Sequence, residues 1–420
     1  MGRGLLPRRS ASRFAWVASV AIISVGATWV AAGADVVPPA RVLTRFEASS
    51  GQQLHRDCGF SAALPGNPSQ SLWLFCDTMV TDRAGQPIPP YPFRPGTWAA
   101  VGPSSPGLVP RSLSHLPSPP AAPSVPSDRS PQLFVPNPRD LVPSNASQCL
   151  MQASWALGLT PGPQGSVTMM NGGSPVTLAN AQNYLFVTYG HVCVVDNPSS
   201  YPWKFDFEFK RVRLAAYDPV TNTIVATSTI FASAPRSSIP WYQQLRHINF
   251  ADGHMYAYLP NCDAWIQAFA ACGQGRAYVA RAPVGSLGSG STYTYKTTGG
   301  GWSSVEGAVD ILATSGLGTM DLHVSNFSTL GKGYLLMQQL DFGGGYRLWQ
   351  SSTPDGPWTP LRTGTMPCGT GRNVGCYHLV GQPALSTTSQ LLYSYFSMTA
   401  AQPHGFVRVA SIGTVPSSGG

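Results

Sequence analysis

An all-β fold is what this 420-residue sequence predicts, and three observations carry the prediction. Charged residues make up only 10% of the chain, while glycine and proline number 44 and 39; an average soluble protein has roughly a quarter of its residues charged. Short runs rich in aromatic and β-branched residues, bounded by Gly, Pro, Asn or Asp, recur along most of the length. No window of helical length carries a sustained 3.6-residue apolar stripe.

Taken from the N-terminus, Arg3, Arg8, Arg9 and Arg13 precede an uncharged stretch from Phe14 to Ala34 that ends in Ala32-Gly33-Ala34. This is the basic region, apolar region and small-residue cleavage site of a signal peptide over residues 1–34. Its 21 uncharged residues are also just enough to span a bilayer as an uncleaved anchor, and either reading places the rest of the chain outside the cell. A first module of strands covers 52–101 and includes "SLWLFCDTMV". Residues 102–144 are so crowded with proline that neither a helix nor a central strand can propagate, and they read as a surface insertion after that module. Further modules cover 148–232 ("NYLFVTYGHVCVV", "FEFKRVRLAAYD"), 244–302 ("HMYAYLP", "RAYVARAP"), 321–360 ("KGYLLMQQLDF", "YRLWQSS") and 376–414 ("QLLYSYFSM", "GFVRVASIGTV"). Five modules of four strands predict a five-bladed β-propeller, with a β-sandwich left open by periodicity alone. Residues 42–414 form one domain, and 415–420 a flexible tail.

The formal charge is +8, but four of the arginines belong to the targeting segment. The remainder is small and evenly spread, which argues against a nucleic-acid partner. Eight cysteines, an even number in an exported chain, read as four disulfides, and the spacings favour local pairs: Cys58 with Cys76, Cys149 with Cys193, Cys262 with Cys272, and Cys368 with Cys376. No CxxC is present, and neither a metal nor a cofactor is expected.

Chemistry gathers at "DCGFS" (Asp57 to Ser61) and "LWLFCDT" (Leu72 to Thr78). Residues opposed across an antiparallel ladder have numbers of constant sum, and the pairs 57/77 and 58/76 share one sum. That register opposes the cysteines at about 4.5–5.5 Å between Cβ atoms, within reach of a disulfide. Alternation of faces then puts both carboxylates together on the other side. At about 5 Å and an effective dielectric near 20 their repulsion is roughly 3 kcal/mol, so one of them keeps its proton near neutrality. This is the division between acid and nucleophile in a glycosidase, and a separation of about 5–5.5 Å belongs to the retaining geometry. Turn capping or amide binding is the plain alternative for any such pair of aspartates.

The two motifs resemble the first blade of the five-bladed propeller furanosidases, most closely the DUF4185 group that includes endo-D-arabinanases, where D-G-G-x-S is followed by L-W-x-F-G-D-T. The departures are Cys58 and Cys76, which stand where that group more often has glycine. "SSTPDGPWTP" resembles a turn between outer strands of a late blade, and "YHLVGQPALSTTSQLLYSYFS" the last blade. The resemblance implies that the innermost strand of each blade starts at the ligand-binding mouth. It thereby points to Asp57, to Gln152 and Trp155, to Arg246 and His247, to Asp321 and His323, and to Tyr377 and His378. Asp57 is read as nucleophile and Asp77 as acid/base. Trp155 would stack on a sugar ring, or else pack between blades. Arg246, His247, His323 and His378 would bind the sugar, with His323 and His378 equally read as satisfied structural histidines, and Asp321 would be a third acid tuning the pair or else a solvated turn residue. The implied protein is a secreted, monomeric glycoside hydrolase, free or held at the cell surface. It would act on a furanose polysaccharide, foremost the arabinan of an actinobacterial envelope. The alternative is a propeller that binds glycan without cutting it.

Overall fold

The computed structural model describes residues 41–413 except 43–45, 48–52, 83, 88–92, 111–112, 116–133, 145, 172–173, 197–204, 234–244, 246, 262–275, 289–292, 298, 305–320, 342, 369–374 and 400–401. Two compact units divide the chain, 1–34 and 35–420, and all described residues belong to the second. Among them there is no α-helix, only short 3-10 turns between antiparallel strands. None of the described helices is long and apolar enough to cross a membrane.

Five sheets of four to six strands form the five blades of a β-propeller. Their inner strands are Gln53–Leu64, Met151–Pro161, His247–Ala251, Asp321–Asn326 and Gly375–Gly381. Each packs on the next, and the fifth returns to the first, so the ring is closed. Blade 5 takes its outermost strand from the start of the domain, with Arg41 opposite Val409 and Val42 opposite Arg408.

Each interface between neighbouring blades holds its own apolar core. Phe60, Leu72 and Leu74 meet Ala156 and Tyr189 between blades 1 and 2, and Phe209 and Leu214 meet Ile248 and Leu259 between blades 2 and 3. Tyr258 meets Leu336 between blades 3 and 4, Leu348 meets Tyr393 between blades 4 and 5, and Val407 meets Trp73 between blades 5 and 1. A strand covered on both faces needs a continuous apolar run rather than alternation. Tyr334–Gln339 is buried at every position, its apolar run Tyr334 to Met337 closed by the buried Gln338 and Gln339.

The strand modules fall where composition and turn chemistry place them, and the sandwich alternative is removed. The described ends of the proline-rich segment are built into the fold. Its first residues finish the strand Trp98–Pro103, which pairs with Ser114–His115. Its return, from Phe134, wedges between blades 1 and 2 with Phe134 and Val135 buried. Proline lacks a donor but keeps its carbonyl: Ser154 Oγ donates to the Pro136 oxygen at 2.6 Å, and Asn137 Nδ2 ties the segment back by donating to the oxygen of Pro95, before it, at 3.0 Å.

Candidate active site

The hairpin that carries both acids does not keep one register. Arg56 faces Thr78, Cys58 faces Phe75, and Phe60 faces Leu74. Asp57 alone therefore lies against the two residues Cys76 and Asp77, the two-against-one count of a β-bulge. The backbone cause is local: Cys58 has φ +66° and Gly59 φ +122°, and a Cβ on Gly59 would come within 2.6 Å of Val407. The constant-sum register holds at Arg56–Thr78 and again at Phe60–Leu74, and only the pairs 57/77 and 58/76 between them are corrected to a local irregularity. A bulge re-aims side chains that a regular pleat would turn away. The Cys58–Cys76 bridge forms across it with Cα atoms 5.5 Å apart, and Cys149–Cys193 and Cys368–Cys376 are bridged as well. Cys262 and Cys272 lie outside the described residues, as does Arg246. Three disulfides fit an extracellular protein.

The two carboxyl groups have different neighbours. Asp57 Oδ2 accepts a hydrogen bond from the Tyr377 hydroxyl of blade 5 at 2.8 Å, and Oδ1 accepts one from the Cys58 amide. Asp77 Oδ1 accepts from the Trp155 indole N–H of blade 2 at 2.6 Å and from the Gly96 amide at 3.0 Å. The pKa of Asp57 is raised by burial, and the charge of His378, the Tyr377 bond and the Cys58 amide offset only part of that rise. Asp77 is pushed up to about 8, by burial first and then by the charge on Asp57, against the Gly96 and Trp155 bonds. Burial and the adjacent Asp57 lift the Tyr377 phenol far above its usual range, so it stays a donor. The protonated partner at neutral pH is Asp77.

Asp321 and the histidines form a layer below. Asp321 Oδ2 lies 3.1 Å from His378 Nδ1 and 3.4 Å from His323 Nε2, and its Oδ1 accepts from the Leu322 amide at 2.9 Å. Burial pushes this carboxyl up, but His323 and His378 outweigh it and hold it well below the usual carboxylate range. His378, half-buried and with φ +57°, stands between Asp321 and Asp57. Asp321 reaches the pair through that imidazole rather than directly. His323 is only 1% exposed, with its ring centroid 6.0 Å from those of both His247 and His378. His247 is buried too, and burial together with His323 lowers its pKa to about 3. Both are buried in this structure, which accords with the structural-histidine alternative for His323. Donor atoms of Asp321, His323 and His378 come within 4.8 Å of one another, a set that could take a cation. Gln152 is occupied in accepting from the Leu141 amide at 3.0 Å.

Trp155 is half-buried at the mouth, and its N–H is committed to Asp77. Its ring meets Phe207 edge to face, with centroids 4.9 Å apart, and Phe209 at 6.5 Å. Gly190 lies opposite Trp155 on the next strand, and a Cβ there would come within 2.7 Å of Phe209. The sequence signals for the Tyr377–Asp57 and Trp155–Asp77 bonds were limited to the start of each inner strand. Phe207, on a third strand, carried no signal at all.

Residues 180–411 match the family model described as a domain of unknown function, DUF5005. Among curated proteins none matches the chain. Among solved structures it is similar to a Bacteroides ovatus protein assigned provisionally to the hydrolases, at 17% identity over 84% of this chain and 85% of that one, with a TM-score of 0.49. It is also similar to an inulosucrase from Halalkalicoccus jeotgali bound to kestose (13% identity, 91% and 92% covered, TM-score 0.43). A third is a family 117 glycoside hydrolase from the marine bacterium Zobellia galactanivorans (8% identity, 89% of each chain, TM-score 0.41). Likenesses this distant carry no argument about the reaction, and the case for one rests on the residues of the mouth.

Proposed function

The chain belongs to the DUF5005 family, and from the mouth of its propeller we propose that it is a secreted glycoside hydrolase working by a two-carboxylate retaining mechanism. One observation carries the proposal: where the hairpin register breaks, Asp57 and Asp77 come close enough for the charge on Asp57 to help push Asp77 up to about 8, while each carboxyl is held by a different blade. Separated pKa values of this kind mark the acid and base assignments in many enzymes. An Asp57 oxygen attacks the anomeric carbon, and the glycosidic C–O bond breaks with its electron pair going to the leaving oxygen. That oxygen takes the proton of Asp77. Water then attacks the same carbon, gives its proton to Asp77, and displaces the Asp57 carboxylate.

A furanose polymer is the substrate class that the DUF4185-like motifs support, with arabinan of an actinobacterial envelope first among them. The alternative, binding without cleavage, draws on the fact that each carboxyl already accepts two hydrogen bonds within the protein. Incubation with mycobacterial arabinogalactan and with plant arabinan, followed by chromatography, separates the two readings. Released oligosaccharides that vanish in Asp57→Asn support the hydrolase. Binding by folded protein with no release supports the alternative.

A further inference from the structure

The two acids are anchored to opposite neighbours of blade 1, and this gives the mouth a direction. Asp57 is held from blade 5 by Tyr377, and Asp77 from blade 2 by Trp155. We infer that a bound glycan lies across the top of blade 1 with the sugar to be transferred on the Tyr377–His378 side and the leaving-group sugar on an aromatic wall of blade 2 made by Trp155 and Phe207. The inference rests on the hydrolase reading and adds to it a subsite and a specificity residue, Phe207.

The argument runs through the acid. A carboxyl that protonates a leaving oxygen must come within about 2.6–3.2 Å of it, and Asp77 Oδ1 is itself 2.6 Å from the Trp155 indole nitrogen. The leaving oxygen is thereby confined to the neighbourhood of that indole, and the next sugar outward continues past it over blade 2. There Met151, Trp155 and Phe207 are all half-buried and lie on the core between blades 2 and 3, so that apolar surface stays open beside a carboxyl group. Phe207 and Trp155 are fixed edge to face, an arrangement aromatic pairs favour. The missing Cβ of Gly190 lets Phe209 support them from below. A rigid aromatic surface takes up the C–H face of a sugar at little cost in side-chain freedom. On the other side Asp57 is backed by Tyr377, whose ring meets the buried Phe396 at 4.7 Å and His378 at 5.2 Å, so that polar O–H and imidazole groups stand beside the nucleophile. The substrate that fits is a chain with at least one further sugar beyond the scissile bond, rather than a glycoside of a small leaving group.

Two probes read this with the intact protein: a linear D-arabinofuranosyl tetrasaccharide, and D-arabinofuranosyl fluoride, whose leaving group needs neither a proton nor a sugar subsite. Phe207→Ala should lower kcat/KM on the tetrasaccharide roughly tenfold to a hundredfold, the size of losing an apolar contact of one side chain, with the loss mainly in KM. On the fluoride it should cost no more than about twofold. Phe207→Leu, which keeps apolar bulk for folding, should fall between. Tyr377→Phe should slow both probes, since it acts on the nucleophile. Equal losses on both probes for Phe207→Ala, or no loss on the tetrasaccharide, overturn the subsite while wild-type turnover leaves the hydrolase standing. A wild-type protein that turns over neither probe overturns the D-arabinofuranosyl substrate and the subsite argued for it.

Discussion

Asp77 holds its proton at neutral pH because it is buried beside another carboxylate, and the same cause fixes how the protein answers to pH. For activity, the acid form is needed, so turnover should decline as pH rises through about 8, and Asp77→Asn should lose about 10²–10⁴-fold on substrates whose leaving group needs a proton. For stability, the folded pKa is raised above the ordinary value. The contribution is therefore complete below about pH 4 and is lost as pH rises towards the folded value of about 8. Asp77→Asn should melt at nearly the wild-type temperature at pH 4, and about 2 °C or more above it at pH 8. Thermal melts across that range check the sign, and a difference that stays flat would sink the assignment. Asp321 runs the other way, since its carboxyl is held well below the usual range and its contribution is lost only in acid. The sequence made the two acids legible because their order is mirrored around two cysteines. It could not show what holds them, because Trp155 is 78 residues from Asp77 and Tyr377 is 320 from Asp57, and no local pattern encodes contacts made only when blades close into a ring.

The strand pair Gln53–Leu64 and Asn67–Thr81 shows where pattern reading stops. Its register on both sides of the acids is the one the mirrored motif gives, but the local break at 57–59 is not, because it depends on a positive φ at Cys58. A non-glycine residue held there costs on the order of 1–3 kcal/mol. Glycine, the residue usual at this place in the resembling group, carries no such cost. The bridge to Cys76 is what keeps a side-chain-bearing residue in that conformation. Replacing both cysteines by glycine should then preserve the bulge, lower the melting temperature by a few degrees through the lost cross-link over 18 residues, and leave most of the turnover. Replacing both by alanine should keep the strain and remove its restraint, so that the backbone relaxes, the acids separate, and turnover falls at least about tenfold. Melting curves and turnover per folded molecule for the two variants decide the matter. Similar turnover in both would show that the surrounding sheet, not residue 58, sets the bulge.

Five apolar interfaces in a ring make each blade depend on two neighbours, and a ring of that kind has one seam. Here the seam is in blade 5, where three strands come from residues 375–411 and the fourth, Arg41–Val42, comes from the beginning of the domain. Without it Gln402–Ser411 would be a free edge, ten residues long, open to pairing with another chain. The pairing joins residues more than 360 positions apart, a contact that strand-by-strand reading of the sequence had no means to locate, although the count of five modules was legible from their turns. Proline at both 41 and 42 removes the amide donors that hold this strand without touching the mouth. The double variant should melt roughly 2–5 °C lower and aggregate on heating, while turnover per folded molecule at 25 °C stays at the wild-type level. If the melting temperature does not move, the five side-to-side cores hold the ring by themselves and the shared blade contributes nothing to its closure.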